Sequence, residues 1–228
     1  MMQAVSHSAH GKFITFEGLD GCGKSTQLEK LAAALRKQKL SVVVTREPGG
    51  TPTAEKIRQL LLDARTSSLT PLAELALMFA SRVQHIKEVI QPAIQAGQIV
   101  LCDRFTDSSE AYQGGGRKLG TEPVLALHRI LCDDFWPELT ILMDSDVATS
   151  VERARRRNKA KSDRASDENR FEQESRAFFA RVRHSYLAIA EREPQRVSVV
   201  DARGTPEATH HQIMEVMKRK LKLVAKSA

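Results

Sequence analysis

The stretch EGLDGCGKST, Glu17 to Thr26, restricts most severely what this chain can become. Gly18, four residues, then Gly23-Lys24-Ser25 give the pattern G-x-x-x-x-G-K-[ST]. It follows an apolar run, Phe13–Phe16, and opens a segment in which Leu28, Leu31, Ala32 and Leu35 share one helical face. A strand turning through glycines into a helix is the setting in which this pattern binds phosphate. The glycines let successive backbone N–H groups converge, and the helix N-terminus adds positive potential. In this reading Gly18, Gly21, Cys22, Gly23, Lys24, Ser25 and Thr26 hold a nucleoside triphosphate. Lys24 reaches its β- and γ-phosphates and Ser25 ligates Mg²⁺.

Four further runs, Ser41–Thr45, Ile99–Cys102, Thr140–Met143 and Val197–Val200, are short, β-branched and apolar throughout. That is the signature of parallel strands covered on both faces. Helical patterns separate them: Thr26–Lys39, Ala54–Leu62, Pro71 to about Gln95, Phe171 to about Glu193, and Pro206–Leu223. Pro92 is expected to kink or end the third of these. The alternation predicts an α/β fold, an open parallel sheet with helices on both faces, and 228 residues suffice for one such domain. Residues 1–11 read as a frayed extension and lack the apolar core of a secretory signal. No apolar run approaches the length of a membrane span. Cys22, Cys102 and Cys132 show no metal-type pairing, so a reducing, cytoplasmic compartment is expected. The net charge of +7 suits an anionic ligand.

The destination of the phosphoryl group has to come from elsewhere. A GTP switch needs N-K-x-D, and Asn158-Lys159-Ala160-Lys161 fails at the fourth position. No residue stands out to orient a hydrolytic water. The third strand instead ends Cys102-Asp103-Arg104. Asp103 there can hold Mg²⁺ through water, and Arg104 can clamp a second phosphate, although a structural ion pair is the plainer alternative. A sugar hydroxyl needs a base to take its proton. A phosphate monoester, with a second pKa of about 6, is already mostly a dianion and needs arginines against repulsion. Arg46, Arg82, Arg104, Arg117 and the run from Arg153 to Arg164 supply them, which points to a nucleoside monophosphate kinase. The rivals are a deoxynucleoside kinase acting on thymidine and a nucleic-acid-binding NTPase exploiting the basic tail from Lys218 to Lys222.

FEGLDGCGKST, TREPGGT, LMFASRVQ, CDRF, AYQGGGR and RFEQE, in this order from Lys12 to about Ala202, resemble the bacterial thymidylate kinases. The resemblance implies a three-layer P-loop fold around a five-stranded parallel sheet, Mg²⁺-ATP as donor, dTMP as acceptor and a homodimer. It also implies roles. Asp20 faces the acceptor's sugar and phosphate, while Arg46, Glu47 and Pro48 wall the acceptor site. Arg104 grips the dTMP phosphate, and Tyr112 gates the sugar for deoxyribose. Ser109 and Gln113 contact the base, and Arg82 hydrogen-bonds thymine O4. Either Met78 or Phe79, at i−4 and i−3 from Arg82, covers the base.

The segment VERARRRNKAKSDRASDENRFEQE is either a solvated loop or a basic flap. By the resemblance it is a mobile catalytic lid, about 153–171, with Arg153, Arg155 and Arg157 matching the family's lid arginines. Some thymidylate kinases carry an arginine inside the phosphate loop; here Gly21 and Cys22 stand there, so the lid has to provide it. The lid departs from the usual pattern at Asn169-Arg170-Phe171, where Asp163-Arg164 is an alternative register.

Overall fold

Strand β1, Lys12–Gly18, lies at the centre of a parallel sheet because both of its faces are apolar. Ile14 and Phe16 point to one side and Phe13 to the other, all without exposed surface. In the computed structural model, which describes residues 11–63, 69–159 and 170–221, β2 (Val42–Arg46), β3 (Ile99–Asp103), β4 (Leu139–Asp144) and β5 (Val197–Asp201) complete it. Among these residues the sheet has five strands in the order β2-β3-β1-β4-β5. Side chains at 157–159 and 172 lie outside the description. Each expected strand is found within two residues of its sequence bounds.

The helices are α1 (Lys24–Lys37), α2 (Pro52–Leu62), α3 (Pro71–His85), α4 (Gln91–Gln95), α5 (Thr106–Ser109), α6 (Thr121–Cys132), α7 (Val147–Lys159), α8 (Arg176–Arg192) and α9 (Pro206–Leu221). On one face of the sheet α1 and α9 bury Leu28, Leu31, Leu35, Ile213 and Met217 against Ile14, Phe16, Leu101 and Ile141. On the other face, Leu75, Phe79 and Val124 of α3 and α6 pack on Phe13, Val100 and Phe105. Phe178, Phe179 and Val182 of α8 pack on Leu142 and Val197. Each such side chain taken out of water stabilises the fold by about 1.5–3 kcal/mol before entropy is counted.

Three sequence expectations change. Pro92 does not end its helix: a π-helical turn, Ile86–Ile90, precedes it, with the Gln91 N–H bonded to the Ile86 carbonyl, and the helix continues to Gln95. The wider turn accommodates a ring that would collide with the carbonyl four residues back. The helix expected from Phe171 starts at Arg176, where Ser175 Oγ caps the Phe178 N–H at 3.2 Å, after a 3₁₀ turn over Arg170–Gln173. Helices α5, α6 and α7 were not expected. In α7, buried Val151 and Ala154 are outnumbered by arginines that hide the helical period. No helix among the described residues is long and apolar enough to cross a membrane.

Candidate active site

The C-terminal ends of β1 and β3 bring the phosphate loop and Asp103-Arg104 side by side. Gly18, Gly21 and Gly23 have φ of 133°, 83° and 101°, so the loop between β1 and α1 takes turns that side chains disfavour. Lys24 is buried and its Nζ donates to the Gly18 and Leu19 carbonyls at 3.0 and 2.8 Å. The loop is thus closed around its own lysine. Cys22 turns its thiol into the core, and burial pushes that thiol upward despite Lys24, so any part it takes in holding ATP falls to its backbone. Ser25 and Thr26 are exposed at the start of α1.

Ser25 Oγ donates to Asp103 Oδ2 at 3.2 Å, and Asp103 Oδ1 is buried without a hydrogen-bond partner among the described residues. One hydroxyl and one carboxylate beside a phosphate loop fit Mg²⁺, which is bound by few protein oxygens plus phosphates and waters. Among the described residues no group of three acidic, His or Cys side chains could hold a metal alone.

Two clusters form the wall opposite. In the first, Arg104, at φ 73°, is aimed back over the sheet end. Its Nη2 donates to Asp20 Oδ1 at 2.8 Å and to Tyr112 Oη at 3.1 Å, while Tyr112 Oη donates to Asp20 Oδ2 at 3.0 Å. Burial alone would raise the Asp20 carboxyl, but Arg104 and Lys24 outweigh it and hold it well below the usual carboxylate range. Tyr112, packed edge-on by Phe171, Phe178 and Tyr186, stays a phenol because burial pushes its pKa well up. In the second cluster Arg82, 2% exposed, donates to Glu47 Oε2 (2.7 Å), the Phe105 carbonyl (3.1 Å) and Ser109 Oγ (3.0 Å). Its Nη1 is buried and unpartnered among the described residues. Glu47, which precedes Pro48 through a cis peptide, also accepts from His85 Nδ1 at 3.0 Å.

Against known proteins, the family model for thymidylate kinase matches residues 16–213. The chain is 50% identical over 194 residues to the thymidylate kinase of Trichlorobacter lovleyi, covering 85% of this chain and 91% of that one. It is 47% identical over 212 residues to that of Pelobacter propionicus, covering 92% and 96%. The crystal structure of thymidylate kinase from Ehrlichia chaffeensis superposes with a TM-score of 0.71 at 32% identity, covering 91% of this chain and 98% of that one. This chain belongs to the thymidylate kinase family. It is a phosphotransferase acting on dTMP.

As a thymidylate kinase it has a physical reason to lack an arginine in the phosphate loop. A Cβ on Gly21 would meet the Ser150 carbonyl at 2.2 Å and the Ala154 nitrogen at 2.9 Å. Helix α7 therefore rests on the loop. Arg153 and Arg155 are exposed on this helix, and Arg155 Nη2 reaches the Glu174 carbonyl at 3.4 Å. Arg157 belongs to α7 by its backbone, and its side chain lies outside the described residues, as do Asp163, Arg164 and Asn169 entirely. Arg170, in the Asn169-Arg170-Phe171 triplet where the lid departs from the usual pattern, turns into the fold. It is 8% exposed and ties to Glu74 of α3 and, at 3.0 Å, to the Leu61 carbonyl. Arg117 likewise pairs with Glu74 and Glu174, and its guanidinium lies over the Phe171 and Phe178 rings that pack on Tyr112.

Other expected residues divide. Met78 is half-buried beside the cluster containing Tyr112 and Phe171. Phe79 has no exposed surface, packing with Phe13, Leu75 and Val100, and its ring carries the Arg82 guanidinium at 4.6 Å. The apolar stripe of α3 sends Phe79 inward, where its ring packs under the Arg82 guanidinium. Arg46 is exposed and held by Glu55 Oε2 at 3.1 Å. Gln113 Nε2 donates to Glu74 at 2.8 Å. Sequence reading missed Glu17, Ser108 and Tyr186 behind Arg104, and Glu74 behind Gln113. Glu17 lies inside a quoted motif and Ser108 between two of them, whereas Tyr186 reads only as one position of an apolar helix stripe.

Proposed function

We propose that the enzyme transfers the γ-phosphoryl group of Mg²⁺-ATP to the 5′-phosphate of dTMP, giving dTDP and ADP. The observation that carries this reading is the Asp20–Arg104–Tyr112 cluster against the phosphate loop, with Arg104 charged and held on several sides. An oxygen of the dTMP phosphate attacks the γ-phosphorus. The bond from that phosphorus to the β–γ bridging oxygen breaks, and its electron pair leaves with ADP. The acceptor is already a dianion, so no base is needed, and the chain's task is to place two anions together. Arg104 and Asp20 order the acceptor, and Lys24 exchanges the loop carbonyls for the β- and γ-phosphates. Ser25 directly and Asp103 through water would hold Mg²⁺, which when bound neutralises charge on those oxygens.

Base recognition follows from the second cluster. Glu47, Phe105 and Ser109 consume the other N–H directions of Arg82, leaving Nη1 for a carbonyl such as thymine O4. Met78 covers the ring. With its amide nitrogen on Glu74, Gln113 offers its oxygen to an N–H donor. Tyr112 closes the space a ribose 2′-hydroxyl would need, and Arg46, Glu47 and Pro48 form the outer wall. Residues 12–228 act as one domain whose lid, about 153–171, brings Arg153, Arg155 or Arg157 to the transferring group. Exposed Leu72, Ile130 and Leu131 on the mutually packed α3 and α6 support a homodimer. Three free, buried cysteines support a reducing cytoplasm.

The deciding experiment is ADP formation from Mg²⁺-ATP with dTMP, dUMP, dCMP, UMP and thymidine offered in parallel. Strong turnover with dTMP, less with dUMP and almost none with the others is expected. Turnover with thymidine alone would overturn the role of Arg104, and ADP release indifferent to acceptor would overturn the transfer itself.

A further inference from the structure

We propose that Glu17 is a positioning residue for the acceptor clamp, holding Arg104 through the hydroxyls of Ser108 and Tyr186. Glu17 belongs to β1, immediately before the first glycine of the phosphate loop, and has no exposed surface. Its carboxylate receives three donors. Oε1 accepts the Phe105 N–H at 2.7 Å, and Oε2 accepts Ser108 Oγ at 2.5 Å and Tyr186 Oη at 2.8 Å. Both hydroxyls accept in turn from one nitrogen of Arg104: Nη1 lies 2.9 Å from Ser108 Oγ and 3.0 Å from Tyr186 Oη. Those two oxygens are themselves 2.8 Å apart.

The polarity of this ring is set by the carboxylate. A hydroxyl has one proton to give and lone pairs to receive with. Once ionised, above the pH of about 7 to which burial and Asp107 raise it, this carboxylate only accepts, so it draws both protons to itself and turns the lone pairs of both hydroxyls toward the guanidinium. An amide in the same place can donate, and would free the hydroxyl protons to point at Arg104, donor against donor. The same carboxylate also fixes the main chain beyond Arg104, whose φ of 73° is unfavourable for a side chain, through the Phe105 N–H.

The division of Arg104 into two ends gives this ring its purpose. Nη2 is shared by Asp20 and Tyr112 at the face toward the phosphate loop, whereas Nη1 is spent on Ser108 and Tyr186 behind it. An incoming phosphate competes for the Nη2 end. The Nη1 end keeps the guanidinium in place while that exchange occurs, so the acceptor does not have to order a long side chain as it binds. Three segments far apart in sequence, at Glu17, Arg104–Ser108 and Tyr186, meet to build this support.

The inference rests on Arg104 as the acceptor's clamp, so Arg104→Lys is measured beside Glu17→Gln, Tyr186→Phe and Ser108→Ala. The readouts, taken above the range in which Glu17 titrates, are KM for dTMP, KM for ATP, kcat and Tm. Losing hydrogen bonds to a charged group, Glu17→Gln should raise KM for dTMP by about tenfold or more, with KM for ATP within about twofold of wild type. Tyr186→Phe, which keeps the ring packing, should raise KM for dTMP by a smaller factor in the same direction. In the Glu17→Gln background it should add little, because the oriented hydroxyl it removes is already lost. If Glu17→Gln does not fold, Tyr186→Phe and Ser108→Ala decide. Unchanged KM for dTMP in both, or equal rises for dTMP and ATP, would overturn the positioning role. An unchanged KM in Arg104→Lys would instead overturn the clamp, leaving the two failures distinguishable.

Discussion

The two sides of this active site are built to opposite standards. On the acceptor side Arg82 and Arg104 are enclosed: the first donates to a carboxylate, a carbonyl and a hydroxyl, the second to a carboxylate and three hydroxyls. On the donor side Arg153, Arg155 and Arg156 stand exposed on α7, whose continuation leaves the described residues. A binding site that reads one base has to be rigid before the substrate arrives, because ordering a side chain then costs affinity. A group that stabilises only the transferring phosphoryl has no ground-state duty, and a moving lid can deliver it while excluding water.

That contrast predicts different signatures for equally drastic substitutions. The largest effect falls on the lid: Arg157→Ala should lower kcat by about 10³-fold while KM for dTMP and Tm stay unchanged. Steady-state kinetics and a melt on one preparation check this, and an unchanged kcat would move the role to Arg153 or Arg155. Next comes Arg82→Ala, which strands the buried Glu47 carboxylate with His85 as its remaining ionisable partner. It should cost about 3 kcal/mol of stability, a Tm lowered by several degrees, together with selectivity for dTMP over dCMP. A variant with wild-type Tm would break the comparison, since the acceptor side would then not be preorganised through that pair.

The smallest effect is a pH dependence on the acceptor side. Burial, then Asp107, raise the Glu17 carboxyl from 4.5 to about 7 against the pull of Arg104 and its hydrogen bonds from Ser108 and Phe105. Asp107 itself is paired with Arg196 at 2.7 Å. The folded state therefore holds this proton more tightly than the unfolded chain. Its contribution to stability is complete below about pH 4.5 and is lost as pH rises to about 7. Melts across that window should show a decline that Glu17→Gln removes, and an identical slope in the variant would contradict it.

Much of this was legible in the sequence, for identifiable reasons. Buried parallel strands advertise themselves as short apolar runs, and the phosphate loop has a fixed spacing, so the sheet and the Lys24–Ser25–Asp103 grouping could be read directly. Pairs within one motif or one helix turn, such as Arg82 above Phe79, were also within reach, although which of Met78 and Phe79 faces inward needed the packing of α3. What could not be read was convergence across the chain. Tyr186 looks like one more core position of α8, and its hydroxyl acquires a partner only when β1 and the turn after β3 are placed beside it. Helix α7 was missed because helical period is carried by apolar residues, and there Val151 and Ala154 are all that is buried among the described positions from 151 to 156.

The close seating of α7 on Gly21 bears on how such enzymes can change over evolutionary time. An arginine at that loop position and a lid helix pressed against it are two designs occupying the same volume. A single codon change at Gly21 lands on the Ser150 carbonyl, in a backbone conformation that already resists a side chain. Passage from one design to the other requires α7 to withdraw first, and on the proposed role of its arginines an intermediate that has withdrawn it would have weakened its own source of catalytic charge. Lineages of this family would then be expected to stay on one side of that divide, separated by a loss of fitness and not merely by distance in sequence.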